Sequence, residues 1–316
     1  MNLSKLKSLS GDASFRKFYR YNNTIIVVSK KETRKNLLIY DAVNKILIKN
    51  KIKAPKLISQ NYKSKNIQIE DFGNDSVYLA IKKNNKKKFI YYKKIIKLLN
   101  SVQKIKTKRT KTFLGSIYKV PKYSKKILLN EARLFLDWYV PKKIKKKNQN
   151  LLKKKLIIIF KSLINKIEFS NQTFVHRDFH VSNLMIKNKK LCLIDSQDAI
   201  FGNIAYDLAS LIDDVRLKTS KRFKQDIFEE YIKTNKKMHI ENFKSDFEIL
   251  SVLRNLKIIG IFTRLSFRDK KHNYLKLIPY AWKLIEQRTE KNKKFIELKT
   301  ILDKYFSQKK RIKYEN

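Results

Sequence analysis

Apolar residues keep strand-like company through the first part of the chain and then settle into helical spacing. Residues 14–21 and 24–28 read as two strands joined at Asn22-Asn23, a pair that tolerates the positive φ of a tight hairpin turn. Residues 35–49 carry Leu38, Ala42, Ile46 and Leu47 on one helix face. Ala54-Pro55 closes that element, because proline disfavours α geometry in the residue before it. Strands are expected again at 56–60 and 66–69. From about residue 76 the pattern is mainly helical, at 89–99, 128–139, 151–167, 206–215, 223–233, 243–263 and 274–284. One short β segment interrupts it, where Leu184-Met185-Ile186, a polar turn and Leu191-Cys192-Leu193-Ile194 read as a hairpin. The pattern predicts an α+β chain in two lobes. Residues 1–75 form a small antiparallel β lobe with one helix, and residues 76–316 a larger, mainly helical lobe.

The hairpin is framed by chemistry. Before it stands His176-Arg177-Asp178-Phe179-His180-Val181-Ser182-Asn183, and after it Asp195. Phosphoryl transfer asks a protein to position groups and neutralise charge, so it needs an acceptor for the proton of the attacking hydroxyl and oxygen ligands for Mg²⁺ on ATP. Asp178 supplies the first; Asn183 and Asp195 supply the second. The spacing is that of the protein-kinase catalytic loop H-R-D-x-x-x-x-N, with Asp195 standing where the magnesium-binding Asp of D-F-G does. The plainer alternative, that these short polar side chains cap turns, leaves the joint spacing unexplained.

Downstream, Ile194-Asp195-Ser196-Gln197-Asp198-Ala199, Gly202, Ala205-Tyr206-Asp207-Leu208 and Asp214-Val215-Arg216 resemble the aminoglycoside phosphotransferase and choline kinase superfamily. With Gly11-Asp12-Ala13-Ser14-Phe15-Arg16 and the block from Arg254 to Leu265, the resemblance narrows to bacterial kinases acting on the C1 hydroxyl of N-acetylmuramate and N-acetylglucosamine. It implies a bilobal protein-kinase-like fold, ATP and Mg²⁺ as cofactors, a sugar substrate and a place in cell-wall sugar recycling. The turn Gly11, Asp12, Ala13 and Ser14 precedes the first strand, as the nucleotide-covering turn does in that superfamily, and is either a phosphate site, its small residues letting backbone N–H groups approach and Arg16 adding a contact, or a plain structural turn. Glu70-Asp71-Phe72-Gly73 is either the hinge whose backbone meets the adenine ring or a plain strand-ending turn. Gln197 and Asp198 lie near the metal and face either it or the sugar. His176 and Arg177 brace the loop, Asp207 supports it from the next helix, and His180 reaches either the γ-phosphate or a local partner.

Two departures accompany the resemblance. It implies Phe where this chain has Ser196, so looser packing is expected beneath the metal-binding loop. The phosphate-touching strand lysine has no clean counterpart in Thr24-Ile25-Ile26-Val27-Val28-Ser29-Lys30-Lys31. Lys30 is the candidate, and the helix that would carry its acidic partner offers only Asp41.

Composition adjusts this picture little. The 316 residues suffice for two cores, and no apolar run approaches the ~18 residues that cross a bilayer. Without a secretory signal and with a single cysteine, Cys192, on a strand expected to be buried, the chain reads as a cytoplasmic monomer. A formal charge of +48 would suggest a nucleic-acid partner, yet the excess is lysine alongside abundant Ile, Asn, Phe and Tyr and only 5 Gly and 4 Pro, a codon bias toward A and T. The lysine runs are scattered, as solvated faces are. Trp138 and Trp282 are either core or sugar-stacking residues. The alternatives to the sugar kinase are a kinase for another hydroxyl acceptor, such as an aminoglycoside, choline or homoserine, and a basic nucleic-acid-binding pseudokinase.

Overall fold

Alternation along the first strands is realised as an antiparallel sheet. The computed structural model describes residues 6–9, 16–30, 33–168, 172–235 and 239–312, so the expected turn Gly11, Asp12, Ala13 and Ser14 lies outside the described residues. Strands β1 (Lys7–Leu9), β2 (Lys17–Tyr21), β3 (Thr24–Val28), β4 (Leu57–Asn61) and β5 (Asn66–Glu70) run in the order β1-β2-β3-β5-β4. Asn22 and Asn23 take φ values of 42° and 58° and make the β2–β3 turn, the left-handed region that asparagine tolerates best after glycine. Helix α1 (Lys35–Lys49) covers one face of the sheet. Ile25 and Val27 of β3 and Ile67 and Ile69 of β5 pack with Leu37 and Tyr40 of α1 in one apolar cluster. The two-residue strand period and the helical period thus meet on a shared face.

The chain divides into two compact units, Met1–Lys122 with Gln172–Phe201, and Tyr123–Asn171 with Gly202–Asn316. Besides the sheet and α1, the first holds α2 (Val77–Lys83), α3 (Lys88–Gln103), the hairpin β6 (Arg109–Lys111) and β7 (Ile117–Lys119), and β8 (Thr173–Val175). Ser76 starts α2 by accepting the Leu79 N–H on its hydroxyl. The expected second hairpin is β9 (Leu184–Lys187) and β10 (Lys190–Leu193), turned at Asn188 and Lys189, both with positive φ. Cys192 is buried on β10. A last short strand, β11 (Ile200–Gly202), pairs with β8. The β6–β7 hairpin falls where the apolar pattern announces no strand.

The second unit is helical. It contains α4 (Lys125–Leu134), a π turn at Phe135–Tyr139, then α5 (Val140–Lys143), α6 (Lys146–Asn165), α7 (Ala205–Ile212), α8 (Lys221–Lys233), α9 (Ile240–Phe267), α10 (Ile278–Thr289), α11 (Ile296–Tyr305) and α12 (Gln308–Ile312). Helix α9 is buried on most of its circumference, and Gly260 lets it approach the main chain where α4 passes into the π turn. A Cβ at Gly260 would collide with the Leu134 carbonyl and the Phe135 amide. Trp282 is 1% exposed and donates from Nε1 to the Tyr139 hydroxyl at 3.0 Å, among the rings of Phe135 and Phe306. It is a core residue, and the sugar-stacking alternative for it falls away. Among the described residues no helix is long and apolar enough to cross a membrane. Most lysines of the runs 82–88 and 142–147 are exposed.

One buried carboxylate ties this unit together. Asp213, just past α7, accepts from Lys224 Nζ of α8 at 2.9 Å, Ser251 Oγ of α9 at 2.5 Å and Arg288 Nε of α10 at 2.9 Å. Burial alone would raise its pKa, but Arg288 and Lys224 outweigh that and hold the carboxyl well below the usual range. Asp213→Asn leaves two cations facing no charge, and we expect a loss of about 3 kcal/mol at pH 7. Because the folded pKa lies below the unfolded one, this stabilisation is complete above the unfolded value, roughly pH 4, and fades as pH falls toward the folded value. Urea titrations at pH 7 and pH 3 check this: the gap between the parent and variant should narrow at the lower pH.

Candidate active site

The loop between β8 and β9 is held by its own backbone. His180 N–H donates to the Asp178 carbonyl at 3.1 Å, and Asn183 N–H to the His180 carbonyl at 3.0 Å. Asn183 Nδ2 donates to the same Asp178 carbonyl at 3.0 Å, which turns the amide nitrogen toward the loop. The Ile194 N–H donates to the Asn183 carbonyl at 3.1 Å, so the end of β10 is fastened to this loop. Asp195 then turns the chain with φ 64°. Arg177, also at positive φ, donates from Nη1 to the Asp198 carbonyl at 3.3 Å and joins the two loops.

A cleft of about 620 Å³ in the first unit is lined by Phe18, Ile25, Tyr40, Ile69, Phe72, Met185 and Ile194, with Asn183 and Asp195 among its polar groups. Its apolar walls suit a flat ring, and its carboxylate and carboxamide are hard oxygen donors of the kind Mg²⁺ takes. Asp195 keeps 32% of its side chain open, and Arg16 Nη2 lies 2.8 Å from its Oδ1. Burial raises the Asp195 pKa; Arg16 opposes this, while Asp178 and Asp198 add to it. Tyr40 is pushed up to about 12 by burial and stays neutral.

Glu70 pairs with Lys187 at 3.1 Å, and the Asp71 carbonyl accepts from the same Nζ at 2.9 Å. The Asp71 carboxylate is taken by Arg20 at 2.5 and 3.1 Å and by the Gly73 N–H at 2.7 Å. Both side chains are therefore engaged by the protein. Gln197 donates to Asp198 Oδ2 at 3.0 Å, and Asp198 is exposed. His180 Nε2 lies 3.4 Å from Asn183 Nδ2. Lys30 is exposed beyond the end of β3 and is absent from the cleft lining, while Asp41 is buried and paired with Lys45 at 2.7 Å. Asp207 is fully buried on α7.

Ser196 does not loosen its surroundings. It is fully buried, and its hydroxyl donates to Asn44 Oδ1 of α1 at 2.6 Å, while Asn44 Nδ2 donates to the Pro55 carbonyl at 3.1 Å. A polar clasp holds the loop after Asp195 where a ring was expected to pack. Asn44 and Tyr40 escaped the sequence reading, although their spacing from Leu37 on α1 already put them on the sheet-facing side.

A family model described as the phosphotransferase enzyme family matches residues 5–239, and the chain belongs to that family. An N-acetylmuramate/N-acetylglucosamine kinase of Pseudomonas aeruginosa is 24% identical over 310 residues, covering 95% of this chain and 88% of the relative. A protein of the same name from Neisseria meningitidis is 32% identical over 170 residues, 51% of this chain and 50% of that one. Among solved structures, an ADP-bound aminoglycoside phosphotransferase superposes with a TM-score of 0.58 at 16% identity, over 90% of this chain and 93% of its own. A choline kinase from Streptococcus pneumoniae gives 0.56 at 13% identity, over 91% and 94%. The fold is the protein-kinase-like α+β fold expected from the sequence, and the chain is a small-molecule phosphotransferase.

The clasp is open to test. Ser196→Ala strands the buried Asn44 Oδ1 without a donor, and we expect a loss of about 1–3 kcal/mol. Denaturant unfolding measures it.

Proposed function

We propose that this chain transfers the γ-phosphate of ATP to the C1 hydroxyl of N-acetylmuramate or N-acetylglucosamine, using Mg²⁺, in the cytoplasm and in the service of cell-wall sugar reuse. The observation that carries the reading is that Asn183 and Asp195, at the two ends of the β9–β10 hairpin, line one apolar-walled cleft with the Asp178 loop bonded to Asn183. Relatives named for these two sugars support the choice of acceptor.

In this reading residues 1–75 hold the nucleotide and residues 76–316 supply catalysis and the acceptor pocket. Asp178 orients the sugar hydroxyl and accepts its proton. Asn183 Oδ1 and the Asp195 carboxylate would hold Mg²⁺, which when bound would supply positive charge to offset that of the phosphates. Gly11, Asp12, Ala13 and Ser14 offer backbone N–H groups to phosphate, joined by Arg16. Lys30, exposed past β3, is set aside as the phosphate cation. The 70–71 segment borders the base, its carboxylates shaping the cleft through Lys187 and Arg20 rather than touching the nucleotide. Gln197 and Asp198 face the acceptor side.

Phosphorus and proton NMR of the product made from Mg-ATP and each sugar tests the acceptor. Phosphate at C1 is expected; phosphate at C6, or turnover only with an aminoglycoside or choline, overturns the assignment. Asp178→Asn keeps shape and removes the proton acceptor, so kcat should fall by ~10²–10⁴ while nucleotide binding persists. Near-parental turnover would remove Asp178 from the mechanism.

A further inference from the structure

Kinases ordinarily place a lysine on the third strand of the N-terminal sheet to hold ATP phosphates, paired with a glutamate on the following helix. This chain has neither. The inward positions of β3 are Ile25 and Val27, both in the apolar cluster, and α1 meets them with Leu37 and Tyr40. A phosphate site without a fixed cation would leave highly charged oxygens to the metal alone.

We infer that Arg16 replaces the strand lysine, and that in the nucleotide-free protein it acts as a latch on Asp195; this rests on the ATP reading of the cleft. Arg16 stands just before β2, is 9% exposed, and places Nη2 2.8 Å from Asp195 Oδ1. Its guanidinium lies 5.3 Å from the Tyr40 ring centroid and 5.8 Å from that of Phe18, two residues that line the cleft. The aromatic pair supplies what the missing glutamate would: it fixes the cation by stacking, without neutralising it. A planar guanidinium also meets a phosphate with two parallel donors, where an ammonium is a point charge.

The same contact makes Arg16 and the metal competitors. An Asp195 oxygen bonded to Arg16 is less available to a divalent ion, so Arg16 should oppose metal binding in the empty protein and favour nucleotide binding. Arriving phosphates would draw the guanidinium off Asp195 and release the carboxylate to the metal. This orders the cycle: nucleotide opens the latch, then the metal site is complete.

Opposite signs distinguish the latch from a packing role. Arg16→Gln keeps the first carbons of the stem and a planar polar end, though a shorter one, and removes the charge. With ADP in EDTA, calorimetry should show affinity at least about tenfold weaker than the parent, the scale of one charge-assisted hydrogen bond. With Mn²⁺ alone, followed by electron paramagnetic resonance, affinity should instead be tighter, by about threefold or more. Unchanged ADP affinity, or weakening of both ligands, overturns the inference. Arg16→Lys is the second variant and serves if the first fails to fold: it keeps a cation, so both affinities should stay within about tenfold of the parent, and loss of both assigns Arg16 to packing. A parent protein that binds no ADP would instead overturn the ATP reading itself.

Discussion

The bond between Ser196 and Asn44 is the constraint on which the geometry of the cleft depends. Asp195 adopts a left-handed backbone with its carboxylate at the cleft, and such a turn holds its aim only if the residue after it is anchored. Ser196 is that anchor. It is fully buried and bonded to Asn44 of α1, and Asn44 passes the tie on to the Pro55 carbonyl. From the other side the Ile194 amide is bonded to the Asn183 carbonyl, so both proposed metal ligands are referred to one framework. Buried polar groups of this kind specify a single arrangement because each alternative leaves a donor or acceptor unsatisfied.

Electrostatics in the first unit follow from that anchoring. Asp195 is crowded by Asp178 and Asp198, which raise its pKa along with burial, and Arg16 is the counterweight. Arg20 and Lys187 do similar work along the cleft rim, fixing Asp71 and Glu70. Among the described residues Arg16, Arg20 and Lys187 meet cleft carboxylates, whereas most lysines of the runs are exposed. The net charge therefore says little about the chemistry, and the placement of a few cations says much.

The second unit is organised by close approach and by a buried ion cluster. Gly260 admits the α4 main chain, and the π turn that follows sets Tyr139 beside Trp282. Asp213 gathers Lys224, Ser251 and Arg288 from three helices. Neither feature has a periodic signature. A glycine in a helix reads as a weakness until its neighbour is known, and a carboxylate among lysines reads as surface until it is buried.

The sequence alone determined what repeats locally or has fixed spacing. The helix at 35–49 and the strand at 24–28 occupy the expected residues, because side-chain periodicity and the Asn-Asn turn act over a few residues. The spacing of Asp178, Asn183 and Asp195 was equally legible, since a short hairpin fixes their separation along the chain. Tertiary structure decided which cation meets Asp195, that Tyr40 lies beside the Arg16 guanidinium, that Ser196 is a clasp, and that Trp282 is core. Each of these is a contact between residues distant in sequence, Arg16 and Asp195 being 179 apart. Such pairings depend on where the packed sheet and helix bring side chains together, and no local pattern records that.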